Sequence, residues 1–144
     1  MMENSAANIF TPGTKMNASD GKIRFALARK EIQHLLENYD EIKKGGGDEV
    51  RRWLGTVGVD HPTYGITRVI KDLRETVEDI VEYQEAADSF EAYLFQAEGA
   101  AYQSLFVEHS SAKGTPESFL ATAKKDVVEM NKYMNELAGF LGID

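Results

Sequence analysis

Apolar residues recur at helical spacing through most of this chain. Phe25, Ala28, Ile32, Leu35, Leu36, Tyr39 and Ile42 repeat at intervals of three and four, which places them on one stripe of a helix. Ser19 stands where an N-cap would start it. Gly45-Gly46-Gly47 ends it, with Lys43 and Lys44 in the last turn, where the helix dipole favours cations. Asp48 offers a cap for a short helix through Leu54, closed by Gly55. Thr56 to Pro62 reads as a loop.

From Thr63 a second long stripe follows: Ile66, Ile70, Leu73, Val77 and Ile80. A third is formed by Phe90, Leu94, Ala97, Ala101 and Leu105. One unbroken helix from Thr63 to Val107 would exceed ~60 Å, too long for a domain of this size. Asp88 followed three residues later by Glu91 matches a capping box, so the break is expected between Gln84 and Asp88. Ser110 to Gly114 is small and polar. Thr115 as cap and Pro116 at the first helical position open a last helix, with Leu120, Ala123, Val127, Met130, Met134, Leu137 and Leu141 on its stripe.

Four stripes of similar length joined by short connections predict an all-α fold. The expected architecture is an up-down antiparallel four-helix bundle over residues 19–144, with a short extra helix after the first long one. Residues 1–18, with Pro12-Gly13 and scattered Asn, Ser and Thr, lack apolar periodicity and are expected to form an extended N-terminal arm.

Composition narrows the function. At 144 residues and 42% apolar content, one domain can bury a core without disulfides or metals. No apolar run approaches the ~20 residues of a membrane span. No leader peptide is visible before Thr14, although a precursor's address cannot be read from a mature chain. Cysteine is absent, which removes disulfides, thiolate metal sites and cysteine nucleophiles. The net charge of −8 argues against nucleic-acid binding and against an anionic membrane surface.

Candidate chemistry is sparse. A di-iron bundle wants two Glu-x-x-His pairs. Glu31 and His34 form one, but His61 precedes Pro62 in a loop, and His109 has Phe106 where the glutamate should stand. Gly45-Gly46-Gly47-Asp48 lacks the Gly-Lys-Ser/Thr of a phosphate loop. Ser104, Ser110 and Ser111 near His109 build no triad. No catalytic residue, metal site or cofactor is therefore assigned, and a non-catalytic role is expected. Asn17-Ala18-Ser19 matches a glycosylation sequon, a triplet common by chance.

Charge is more informative. Nine acids lie between Asp72 and Glu98 against one base, Arg74. Glu75, Glu78, Asp79 and Glu82 are expected on the face opposite Leu73, Val77 and Ile80. Like charges at such spacing cost ~0.2–0.5 kcal/mol per pair, so tolerating them hints at a basic partner or an acidic compartment. A solvated face is the plainer reading. Arg51, Arg52 and Trp53 are a second candidate partner site, since Arg and Trp are favoured interface anchors. The alternative is that Trp53 seals one end of the core while the arginines pair locally.

The string Gly46-Gly47-Asp48-Glu49-Val50-Arg51-Arg52-Trp53-Leu54-Gly55-Thr56-Val57-Gly58, then Pro62-Thr63-Tyr64-Gly65-Ile66, resembles the segment after the first helix in PsbQ-like extrinsic proteins of photosystem II, as found in red algae and diatoms. Residues 100–108, Ala-Ala-Tyr-Gln-Ser-Leu-Phe-Val-Glu, and Lys113-Gly114-Thr115-Pro116-Glu117 are similar too. The likeness runs from about Ser19 to the C-terminus, and both the PsbQ-prime branch and the related diatom extrinsic subunit fit it. The resemblance implies a four-helix bundle in the chloroplast thylakoid lumen, peripheral to the membrane through protein contacts only. It would dock on the photosystem II core and other extrinsic subunits and help the oxygen-evolving complex retain calcium and chloride, binding no cofactor itself. A cytosolic helical adaptor whose acidic face meets a basic protein is the alternative; a bipartite leader in the precursor separates the two.

Overall fold

The computed structural model describes residues 16–107 and 114–144. Among them every regular element is helical. Six α-helices pack together: α1 (Ala18–Glu37), α2 (Tyr39–Ile42), α3 (Gly47–Leu54), α4 (Ile66–Asp72), α5 (Ile80–Gln103) and α6 (Pro116–Leu141). Short 3-10 turns follow α2 and α4, at Lys43–Gly45 and Leu73–Thr76. No helix among the described residues is long and apolar enough to cross a membrane.

The first stripe folds as expected at its centre. Phe25, Ala28, Ile32 and Leu35 are fully buried, and Leu36 and Ile42 lie at the edge of the core. The cap is Asn17, not Ser19: the Asn17 side chain accepts from the Asp20 amide at 2.8 Å. Most of the expected arm lies outside the described residues, and Ala18 is already helical. The helix also does not run unbroken to Gly45. It pauses at Asn38, whose amide side chain bonds the His34 carbonyl at 3.1 Å and competes with the next helical turn. Tyr39 beyond the pause remains buried, its hydroxyl donating to the Leu120 carbonyl at 2.5 Å.

The second long helix is shorter than expected. Gly65, at φ 71°, precedes α4, so the helix opens at Ile66 and not at Thr63. Ile66, Val69, Ile70 and Leu73 are buried, but the chain leaves the helix at Thr76, whose hydroxyl donates to the Leu73 carbonyl at 2.8 Å. Val77 is extended and α5 starts at Ile80. The break between the second and third long helices thus falls at residues 77–79, not between Gln84 and Asp88. Three crowded acids, Glu75, Glu78 and Asp79, and two β-branched residues, Thr76 and Val77, favour leaving the helix around this point. The reversal also lets Tyr83 fold back over α4, its hydroxyl donating to the Ile70 carbonyl at 2.7 Å. Asp88 caps nothing; it sits inside α5 and accepts from Gln84 at 2.8 Å.

The longest helices, α5 and α6, share the most extensive packing. Tyr83 meets Phe140 edge-on and Tyr93 stacks on Tyr133, so the pair runs antiparallel. Thr115 and Ser118 cap α6 reciprocally, each side chain accepting from the other's amide at 3.0 Å. All seven residues of the expected α6 stripe are buried.

Candidate docking surface

The residues singled out around Arg51 form a joint between α3, α5 and α1. Gly46 and not Asp48 occupies the N-cap position of α3, at φ 88°. The next residue, Gly47, is there for space: a Cβ on it would lie 2.2 Å from the Ala101 carbonyl oxygen and 2.5 Å from Ser104 Oγ. Only glycine lets α3 come this close to α5. Asp48 turns instead to Arg51, whose Nη1 donates to its carboxylate at 3.0 Å.

Arg51 reaches across to α5. Its Nε donates to both oxygens of Glu98, at 2.9 and 3.0 Å, and its guanidinium lies 4.8 Å over the Tyr102 ring. Thr56 donates its hydroxyl to the same Glu98 carboxylate. The side chain of Arg51 is only 16% exposed, and its bonds to Glu98 hold it firmly protonated, its pKa raised further. Arg52 is different. It pairs with Glu49 at 2.9 Å and its side chain is half exposed.

Trp53, the only tryptophan, is part-buried between two imidazoles. His34 of α1 stacks on it at 4.8 Å, and His61 tilts against it at 4.6 Å. Its indole N–H donates to Glu49 at 3.1 Å, and its carbonyl accepts from Thr63 at 2.8 Å. His61 Nδ1 lies 2.5 Å from Glu31, while Arg24, buried in α1, donates to the Tyr64 carbonyl at 3.0 Å. The loop 55–65 is therefore fastened to α1 and α3 at several points. Gly55 turns the chain into it at φ 83°, where a Cβ would also strike Thr63.

The Glu31-x-x-His34 pair is thus divided between two neighbours, His61 and Trp53, and the two side chains do not converge on a common point with further ligands. Among the described residues no three His, Asp or Glu side chains gather as a metal site. Ser104 is buried, its hydroxyl donating to the Ala101 carbonyl at 2.6 Å. His109, Ser110 and Ser111 lie outside the described residues. A cleft of about 220 Å³ between α4 and α5, with Lys71, Arg74, Asp88 and Glu91 in its wall, is below the roughly 300–1,000 Å³ of typical ligand pockets.

The acidic group is exposed but does not share a helix face. Glu75 lies in the 3-10 turn, Glu78 and Asp79 in the link before α5, and Glu82 in its first turn. Asp79 hydrogen-bonds the Glu82 side chain, and that contact, with the like charge of Asp79 and Glu85, raises the Glu82 pKa. Arg51, Arg52 and Trp53 are some way from this group in the fold, on α3 where it crosses the C-terminal half of α5.

Sequence reading missed Tyr83, Arg24 and Glu98 as structural anchors. The partner of Glu98, Arg51, lies 47 residues away along the chain, so no local signal marked it. No known protein family matches the chain, and neither curated proteins nor solved structures provide a match.

Proposed function

We propose that the chain is a non-catalytic extrinsic subunit of photosystem II, of the PsbQ-like kind, working on the lumenal face of the thylakoid membrane. The observation that carries this reading is where the resembling segments lie. Residues 46–58, 62–66 and 100–108 are separate in sequence, yet Gly47 packs on Ala101, Arg51 on Tyr102, and Gly55 on Thr63. Three stretches of the likeness therefore meet at one three-dimensional joint. In this reading α1, α4 with its 3-10 extension, α5 and α6 are the arms of an up-down four-helix bundle, and α3 is a brace across one end.

The role is physical. The protein covers part of the lumenal surface, slows loss of calcium and chloride, and holds neighbouring subunits in place. Its acidic link and the first turn of α5 suit an acidic compartment, because carboxylates that share protons repel less as pH falls. Arg52 is the cation of the short helix best placed to meet a partner, being half exposed.

The test is reconstitution. Photosystem II membranes stripped of extrinsic subunits should rebind the protein and regain oxygen evolution at low calcium and chloride. Absence of binding at low salt would end this reading. The adaptor alternative is separated by the precursor, which carries a bipartite leader only if the protein is lumenal.

A further inference from the structure

The outer side of α5 holds an aromatic row that the described residues leave about half exposed, with the Arg51 guanidinium over one face of Tyr102. Phe95, Tyr102 and Phe106 are 61, 46 and 53% exposed. With Gly99 they step by four, three and four, so they share one face, opposite the buried Phe90, Ala97 and Ala101. The Tyr102 and Phe106 rings touch edge-on at 4.9 Å, which carries the row past the end of the helix. Singly exposed apolar residues need no explanation, but a contiguous aromatic row does.

Gly99 sits in the middle of it. A Cβ built there meets nothing within 4 Å. Glycine inside a helix is destabilising relative to alanine, and no contact among the described residues calls for it. What it provides is a notch between Phe95 and Tyr102 where another backbone can approach closely. Upstream the same face continues through Ala92 to Asp88. The helix as a whole carries Glu82, Glu85, Asp88, Glu91 and Glu98 and neither lysine nor arginine. Glu98 is committed to Arg51, whereas Glu82, Glu85 and Asp88 are exposed at the other end.

We infer that this face is a docking seam for a helix of another protein. That helix presents small or aliphatic residues to Gly99, between the aromatic rings, and lysine or arginine to Asp88 and Glu85. Aromatic anchors beside a close backbone approach give affinity, and the acidic end fixes direction. A second copy is the weaker fit, because α5 itself carries no lysine or arginine to set against those carboxylates, and Arg51 beside Tyr102 is already bound to Glu98. The inference does not depend on the photosystem reading, since it rests on α5 alone.

A fluorescein-labelled amphipathic peptide tests it, with alanine and leucine on one face and lysines in its last turn. A shuffled peptide of the same composition is the control, and binding is read by fluorescence polarisation. The protein should bind the amphipathic peptide about tenfold or more tightly than the shuffled one. Gly99→Leu, projecting into open space, should keep the circular dichroism spectrum, melt no lower than the wild type and lose about tenfold or more in affinity; Phe95→Ser should lose as much while staying folded. Glu85→Lys with Asp88→Lys should flatten the salt dependence. Equal binding of the two peptides, or unchanged affinity in folded Gly99→Leu, overturns the proposal. So does a dimer in sedimentation equilibrium that Gly99→Leu dissociates, which would assign the seam to a second copy.

Discussion

Arg51 on α3 holds Glu98 on α5 with one nitrogen shared between both carboxylate oxygens, 2.9 and 3.0 Å away. The neighbouring Arg52 has a partner one turn back on its own helix and stays half exposed. Two adjacent arginines thus do different work, and their substitutions should separate. Arg51→Ala leaves a part-buried carboxylate without its cation and should cost about 2 kcal/mol in urea unfolding. Arg52→Ala loses an exposed pair within one helix and should stay within about 0.5 kcal/mol. Equal losses would mean that the joint between α3 and α5 is not held by Arg51. Docking through this helix is then tested with Arg52→Glu alone, which should weaken rebinding to stripped photosystem II membranes while the melting curve holds.

Two glycines make an opposed pair. Gly47→Ala forces a methyl group against the Ala101 carbonyl and should destabilise by about 1–3 kcal/mol or prevent α3 from seating. Gly99→Ala meets open space and should stabilise by about 0.5–1 kcal/mol. Chemical denaturation of both variants reads the two signs directly.

Met130 is fully buried on the inner stripe of α6, whereas Glu129 beside it is partly exposed. Met130→Ala should cost about 2–5 kcal/mol, and Glu129→Ala should change stability by less than about 0.5 kcal/mol. Similar effects from both would shift the phase of the whole helix.

Asp126 is a carboxyl in the core, 8% exposed, and its pKa is raised by burial first and by the charge of Glu129 second. A carboxyl whose folded pKa lies above its unfolded value binds more protons when folded. Its ionised form therefore weakens the fold at neutral pH, and the penalty is relieved as pH falls through the folded pKa towards the unfolded one. Asp126→Asn should raise the Tm at pH 7 by a few degrees, about 2–4 °C, and the gain should shrink as the pH is lowered. A gain that is constant with pH would show that ionisation is not the cause.

How much of this was legible in advance follows from what each position has to satisfy. The α6 stripe and its Thr115 cap were readable because propensity, capping and burial agree over a long stretch. The break before α5 was misplaced because two Asp-x-x-Glu patterns compete, Asp79 with Glu82 and Asp88 with Glu91. Choosing between them depends on Tyr83 reaching the Ile70 carbonyl, a tertiary contact with no local signature. Asn17 was passed over for Ser19 because both are good caps two residues apart. At the candidate site, the cluster of Arg51, Arg52 and Trp53 stood out by composition, but the partner of Arg51 lies 47 residues away along the chain. The exposed row on α5 was missed, since Leu94, Ala97 and Ala101 drew attention to the inner face and hid the outer one.

Trp53 touches side chains of α1, α3 and the 55–65 loop, and it is the only indole in the chain. Its fluorescence therefore reports on that one corner, while far-UV circular dichroism is dominated by α1, α5 and α6. If the brace frays before the long helices separate, emission will change at lower denaturant than ellipticity, and the two curves will part. The protein carries its own local probe, and coincident curves would show that the corner and the long helices melt as one unit.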